Sequence, residues 1–249
     1  MSRDLSDVQS YYDDLAPRLV AVEGRNWHLQ SRMALVLGTI SRHAANAGRV
    51  LDVGCGTGFL LEYLGRAGWS GLGIDLSPES VALADERLER IGVADRLSAQ
   101  VGSAYEPPTG PFDLVTVTDV LEHLDDPRAC LSAIRSQIAP GGLLVISTPN
   151  RRSLPGARRW LAERGVPGIQ LHLAPIDRWQ TWTDLESHAA AADFARVSRR
   201  GIFFRPGGRI GSHVGRVYRW PAVRRAELSI SGEPLGRFGF YICLGFRPT

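Results

Sequence analysis

The chain has 249 residues, long enough for one α/β domain with a sizeable core, and its 44% hydrophobic and 22% charged content is that of an ordinary globular protein. No apolar run approaches the ~20 residues that span a bilayer. The N-terminus M-S-R-D-L-S-D lacks the apolar segment of a secretory signal, and three widely spaced cysteines give neither a disulfide framework nor a zinc pattern, so a cytoplasmic location is expected. Charge is uneven: residues 1 to 149 hold 12 Arg against 19 Asp and Glu, residues 150 to 249 hold 17 Arg against 7, and no Lys occurs.

Residues 5 to 45 read as helices. Val8, Tyr11, Tyr12 and Leu15 share one face, and Met33, Leu35, Val36, Leu37 and Ile40 mark a second segment. Val50, Leu51 and Val53 are the short apolar run of a strand buried on both faces. That strand breaks into Gly54, Gly56 and Gly58, and Leu60, Leu61 and Leu64 follow at helical spacing over 59 to 67. Strand, glycine turn and helix open a Rossmann-like βαβ unit, where backbone without Cβ lets a nucleotide-bearing ligand approach. Asp75 ends the next strand, 71 to 75, and lies 17 residues beyond Gly58, about where such folds place the acid that binds a ribose diol.

Ser77-Pro78-Glu79 is a helix start with an N-cap and proline at the first position, and the helix runs to about Ile91. Strands follow at Leu97 to Val101 and at 112 to 118, the second leading into Asp119-Val120-Leu121-Glu122-His123. A helix over 127 to 138 and the turn Pro140-Gly141-Gly142 precede a strand at 143 to 147. Residues 151 to 176 read as an insertion with a short helix near Ala157 to Glu163. A crossover helix is expected over Ile176 to Ala192, a strand over 194 to 204, and a closing strand over Gly239 to Phe246. Between these last two, Ile210, Val214, Val217 and Tyr218, interleaved with Arg209, His213, Arg216 and Arg219, predict a basic amphipathic helix over 209 to 220.

The glycine spacing departs from the dinucleotide fingerprint, because the third glycine comes one residue early and Phe59 fills its place; no G-x-x-x-x-G-K phosphate loop occurs either. An acid before the glycines, Asp52, suits a ligand that presents an ammonium. The four ordered segments D-V-G-C-G-T-G, G-I-D-L-S, F-D-L-V-T-V-T-D-V-L-E-H-L and I-A-P-G-G-L-L-V-I-S-T-P-N, spanning about 49 to 150, resemble the class I S-adenosylmethionine-dependent methyltransferases. Within that class the chain is most similar to the ubiquinone-biosynthesis type of O-methyltransferase.

The resemblance implies an α/β fold: a Rossmann-like doubly wound sheet, mostly parallel with an antiparallel last strand, under an N-terminal helical cap. It implies a single methyltransferase domain over 1–249, with the cap at 1–45, a cofactor-binding half at 46–150 and a substrate-side half at 151–249. The implied cofactor is S-adenosylmethionine. Asp52, Gly54, Cys55 and Gly56 would hold its methionine end and Asp75 its ribose, Asp119 and Val120 would lie near the sulfonium or the adenine, Ser103 would contact the adenine, and Gly58, Leu76 and Ala104 would complete the cofactor site. Relatives usually carry Asp where Ser103 stands, and a hydroxyl can still accept from the adenine amino group. Tyr11, Tyr12, Trp27, His28 and Arg32 of the cap would reach cofactor or acceptor, with Tyr11, Tyr12 and His123 the expected acceptor contacts.

His123, just past the fourth strand, is the first candidate for a general base, because imidazole takes a proton near neutral pH. A helix-start role is its structural alternative, and His172 is the second candidate base. Glu122 and His123 show no recognisable metal-ligand spacing, and no metal is expected. The Asp- or Asn-Pro-Pro-Tyr run of base-N and glutamine methyltransferases is replaced by T-D-V-L-E-H, and no basic surface interleaved with stacking aromatics marks a nucleic-acid partner. The expected partner is a small-molecule acceptor, methylated on an oxygen of an aromatic, quinone-like or natural-product compound. A nitrogen or carbon acceptor, a cofactor-binding protein without transfer, and an NAD-dependent oxidoreductase are the alternatives. The basic 209 to 220 helix either lies on anionic lipid or, as favoured here, packs on the domain.

Overall fold

The computed structural model describes residues 5–23, 26–166, 177–202, 221–232 and 234–249. Two helices, α1 (Leu5–Val22) and α2 (Trp27–His43), precede β1 (Arg49–Val53), α3 (Phe59–Arg66), β2 (Ser70–Asp75), α4 (Pro78–Arg90), β3 (Leu97–Val101) and β4 (Phe112–Thr118). A 3-10 turn at Leu121–His123 leads to α5 (Pro127–Arg135), β5 (Ile138–Pro149), α6 (Leu154–Glu163), α7 (Trp182–Ala190), β6 (Phe194–Ile202), α8 (Pro221–Ile230) and β7 (Tyr241–Pro248).

The seven strands form one sheet in the order β3-β2-β1-β4-β5-β7-β6. All neighbouring pairs are parallel except β7, which runs antiparallel to both β5 and β6. The expected doubly wound architecture with a reversed closing strand is therefore present. Alternation along the strands sorts the core into two layers. Val50, Leu114 and Val145 face α2, α3 and α4, whereas Leu51, Val53, Val115, Val117, Leu144 and Ile146 face α5 and α7.

Local chemistry sets several boundaries, although the strand expected at 143 to 147 runs over Ile138–Pro149, through the expected turn, and the helix expected to reach 138 ends at Arg135. Ser77 caps α4 by accepting from the Ser80 N–H at 3.0 Å, with Pro78 at the first turn. The crossover helix expected over 176 to 192 is shorter, because the capping box of Thr181 and Asp184 starts it at Trp182. The insertion helix begins earlier than expected, at Leu154, since Ser153 accepts from the Gly156 N–H and caps it. His172 and the 209 to 220 helix lie outside the described residues. Among the described residues, no helix is long and apolar enough to cross a membrane.

Candidate active site

The sheet order changes direction between β1 and β4, and in open α/β sheets the crevice at such a switch point, beyond the strand C-termini, is where ligands bind. Here that crevice is a cavity of about 300 Å³, floored by the loops after β1, β2, β3 and β4 and roofed by α1 and α2. Of the residues expected to bind cofactor, Gly54, Gly56, Asp75, Leu76, Ser103, Ala104, Asp119 and Val120 line it.

Asp75 is organised for a ligand. Its Oδ2 accepts from the Gly56 N–H at 2.9 Å and its Oδ1 from the Ser77 N–H at 3.0 Å, so both oxygens are held in place with lone pairs remaining. Burial raises its pKa above the usual carboxylate range, against the pull of those backbone donors. Gly56 has φ +51°, and a Cβ added there would meet no protein atom within 4 Å, so its backbone opens directly on the cavity. A pinned diacceptor beside bare backbone fits a ribose diol and the chain of an adenosyl ligand.

Three expected contacts stand behind the wall. Asp52 is 1% exposed in a strand buried on both faces, where its Oδ1 accepts from the Thr116 hydroxyl at 2.6 Å. Cys55 joins the core beside Gly73, and Gly58, at φ +75°, allows α3 and α4 to meet: a Cβ there would lie 3.0 Å from that of Ala84. These two serve packing, and the sequence could not separate them from Gly54 and Gly56 because all four share one motif.

Burial, with Asp75 adding to it against the Thr116 hydrogen bond, pushes the Asp52 carboxyl up to about 7. The folded chain therefore holds that proton more tightly than the unfolded chain, and stability falls as pH rises from the usual carboxylate range through about 7. Asp52→Asn keeps an acceptor for Thr116 and removes the charge. It should melt above the parent at pH 8 and level with it at pH 4; a difference that ignores pH would refute the assignment.

The cap supplies the rest of the roof. Val8, Tyr12, Leu15 and Leu19 of α1 and Leu29 and Arg32 of α2 line the cavity, whereas Tyr11 is 38% exposed, does not line it, and packs edge-on against Tyr12. Tyr11 thus supports the Tyr12 ring and is not itself a wall residue. Arg32 ion-pairs with Asp119, a non-glycine residue at φ +56°, and its guanidinium lies 5.7 Å from the Tyr241 ring centre. The Tyr12 hydroxyl lies 2.8 Å from Nε2 of His123, and both side chains border the cavity.

Two further contacts fasten α1 to the loops on which a cofactor would rest. The Ser77 hydroxyl donates to Asp13, and Glu23 accepts from both the Thr57 hydroxyl and Arg87. Sequence reasoning missed Glu23, Thr57, Arg87 and the cavity-lining Tyr105; none carries a local signal. Among the described residues no three His, Cys, Asp or Glu side chains cluster as metal ligands.

A methyltransferase domain family matches residues 25–198. The chain belongs to that family. S-adenosylmethionine is the methyl donor that the family uses. The ubiquinone biosynthesis O-methyltransferase of Psychrobacter cryohalolentis is 34% identical over 168 residues, 64% of this chain and 63% of that protein, so the chain spans under two thirds of that relative's length. Magnesium protoporphyrin IX methyltransferase from Synechocystis, solved with S-adenosylhomocysteine bound, superposes with a TM-score of 0.67 at 16% identity, covering 99% of this chain and 100% of that one. The cyclase SpnF superposes with a TM-score of 0.70 at 21% identity over 97% and 95%. At these identities the two structures speak to the fold alone.

Proposed function

We propose that this protein moves a methyl group from S-adenosylmethionine to a hydroxyl oxygen of a small aromatic or quinone-like acceptor, with His123 as the general base. The observation that carries this reading is that one cavity brings together the pinned carboxylate of Asp75 and the imidazole of His123. The name of the Psychrobacter relative, an O-methyltransferase, supports the oxygen acceptor. The bound cofactor supplies a methyl already activated on a sulfonium.

The chain then has to bind, orient and exclude water, and to receive the hydroxyl proton. Asp75 and Leu76 would hold the ribose, the Gly54 and Gly56 backbone would lie along the methionine chain, and Ser103 and Ala104 would border the adenine. Asp119, ion-paired with Arg32, and Val120 would border the adenine or the sulfonium. Leu15, Leu19, Leu29 and Leu124 close the cavity with apolar surface against water.

Labelled methyl transfer to a panel of phenols, catechols, amines and carbon acids tests the reading. Transfer confined to oxygen is expected. Transfer confined to nitrogen or carbon, or cofactor binding without transfer, would replace it. His123→Ala should lower turnover on a phenol roughly 10²-fold or more, while S-adenosylhomocysteine still binds with its affinity little changed. Equal loss of both would make His123 a structural residue.

A further inference from the structure

His123 borders the cavity, and its Nε2 already has a hydroxyl on it. Tyr12 and His123 are 111 positions apart and meet only because α1 is docked, with the oxygen 2.8 Å from Nε2 and the rings edge-on at 5.6 Å. Tyr11 packs edge-on behind Tyr12 at 5.2 Å and steadies its ring. A phenol oxygen can donate one hydrogen bond and accept others at the same time.

We propose that Tyr12 is a proton relay, whose oxygen takes the proton leaving the acceptor hydroxyl while its own proton passes to Nε2 of His123. This rests on the oxygen-acceptor reading above. Two O–H bonds break, and one O–H and one N–H bond form. The acceptor O–H breaks as its oxygen takes the methyl carbon, whose bond to the donor's sulfur breaks with the electron pair left on sulfur; a new O–H forms on Tyr12, and the old Tyr12 O–H is exchanged for N–H on His123. Tyr12 ends neutral, as it began, and His123 ends as imidazolium; nothing is oxidised or reduced.

The surroundings suit a relay better than a stored phenolate. Burial raises the Tyr12 hydroxyl above its ordinary range, and Glu122, Tyr11, Asp177 and Asp75 add to the rise. A charge on the phenol oxygen is therefore costly, and both protons must move together. The relay also makes proton removal conditional on the cap. The Ser77–Asp13 and Thr57–Glu23 contacts seat α1 on the loop after Asp75 and the loop after Gly56. With α1 lifted, Tyr12 leaves His123 and the relay is broken, so the base is complete only over a covered site.

Tyr12→Phe keeps the ring and its packing and deletes only the hydroxyl. The first readout needs no acceptor: side-chain nitrogen NMR of the full chain labelled at its six histidines, with His123 assigned from His123→Ala. The His123 Nε2 resonance should shift in Tyr12→Phe more than Nδ1 does; an unmoved Nε2 overturns the contact. The second compares two acceptors. On an un-ionised phenol, Tyr12→Phe should cut kcat roughly 10-fold to 10²-fold with KM little changed. On a nitrophenol assayed above its own pKa, which has no proton to pass on, the loss should largely disappear. Equal losses on both acceptors, or none on either, overturn the relay. A parent that binds S-adenosylhomocysteine, shows the Nε2 shift and methylates no hydroxyl overturns the oxygen-acceptor reading, and the relay falls with it.

Discussion

Replacing Asp75 with alanine should weaken S-adenosylhomocysteine binding roughly 10²-fold to 10⁴-fold. Two hydroxyls donating to a half-buried carboxylate contribute about 1.5–3 kcal/mol each, and every ~1.4 kcal/mol is tenfold in affinity. Part of the loss is organisational. The Gly56 and Ser77 N–H groups that now bond Asp75 would turn elsewhere, and the glycine backbone that borders the cavity would lose its anchor. Asp75→Asn should do no better, because its amide nitrogen would face a backbone donor. Isothermal calorimetry against S-adenosylhomocysteine measures the effect, with a melting curve to show that the variant is folded. Because burial raises the Asp75 pKa, affinity should also fall on acidification at a higher pH than an exposed aspartate would give. Undiminished binding in Asp75→Ala would remove the basis of the cofactor assignment.

Arg87→Met should be the most damaging change to stability. Arg87 and Glu23 are each 7% exposed at the side chain, and the guanidinium also reaches the Thr57 carbonyl at 2.8 Å and Glu62 at 2.9 Å. Removing one member of a buried pair leaves the other charge without compensation, a loss of ~3–5 kcal/mol. For a chain of this size that is roughly 6–20 °C in Tm. The damage should spread from α1, since lifting that helix is the route by which Glu23 regains water. Amide exchange in α1 should therefore accelerate more than in β1 or β4. The double variant Glu23→Leu, Arg87→Met should recover much of the lost stability, because apolar replacement of a whole buried pair is often close to neutral. Unchanged melting and unchanged α1 exchange in Arg87→Met would show that the pair holds nothing.

The cavity floor was legible because its signals are local. A β-run broken at Gly54, a helix capped by Ser77 and an acid at the end of β2 each depend on residues within a few positions. They marked Gly56 and Asp75, the resemblance added Ser103 and Asp119, and all four line the one cavity. The same locality explains why three residues that do not line the cavity were grouped with those that do. Asp52, Cys55 and Gly58 share the motif, yet alternation along β1 turns Asp52 toward Thr116, and the turn sends Cys55 and Gly58 into packing. Periodicity says that Tyr11 and Tyr12 lie near one helix face; it does not say which of two adjacent rings points inward.

Local signals in the sequence marked most strands and helices and the acid at the end of β2, because hydrophobic alternation, caps and glycine turns act between near neighbours, whereas the reversed last strand came from the resemblance to the methyltransferases. The docking of the cap was decided by tertiary structure. Tyr12 meets His123, Arg32 meets Asp119, and Glu23 meets Arg87 across 111, 87 and 64 positions. Such pairs form only when the whole chain has buried its apolar faces, since closing loops of that length has no driving force until packing supplies it.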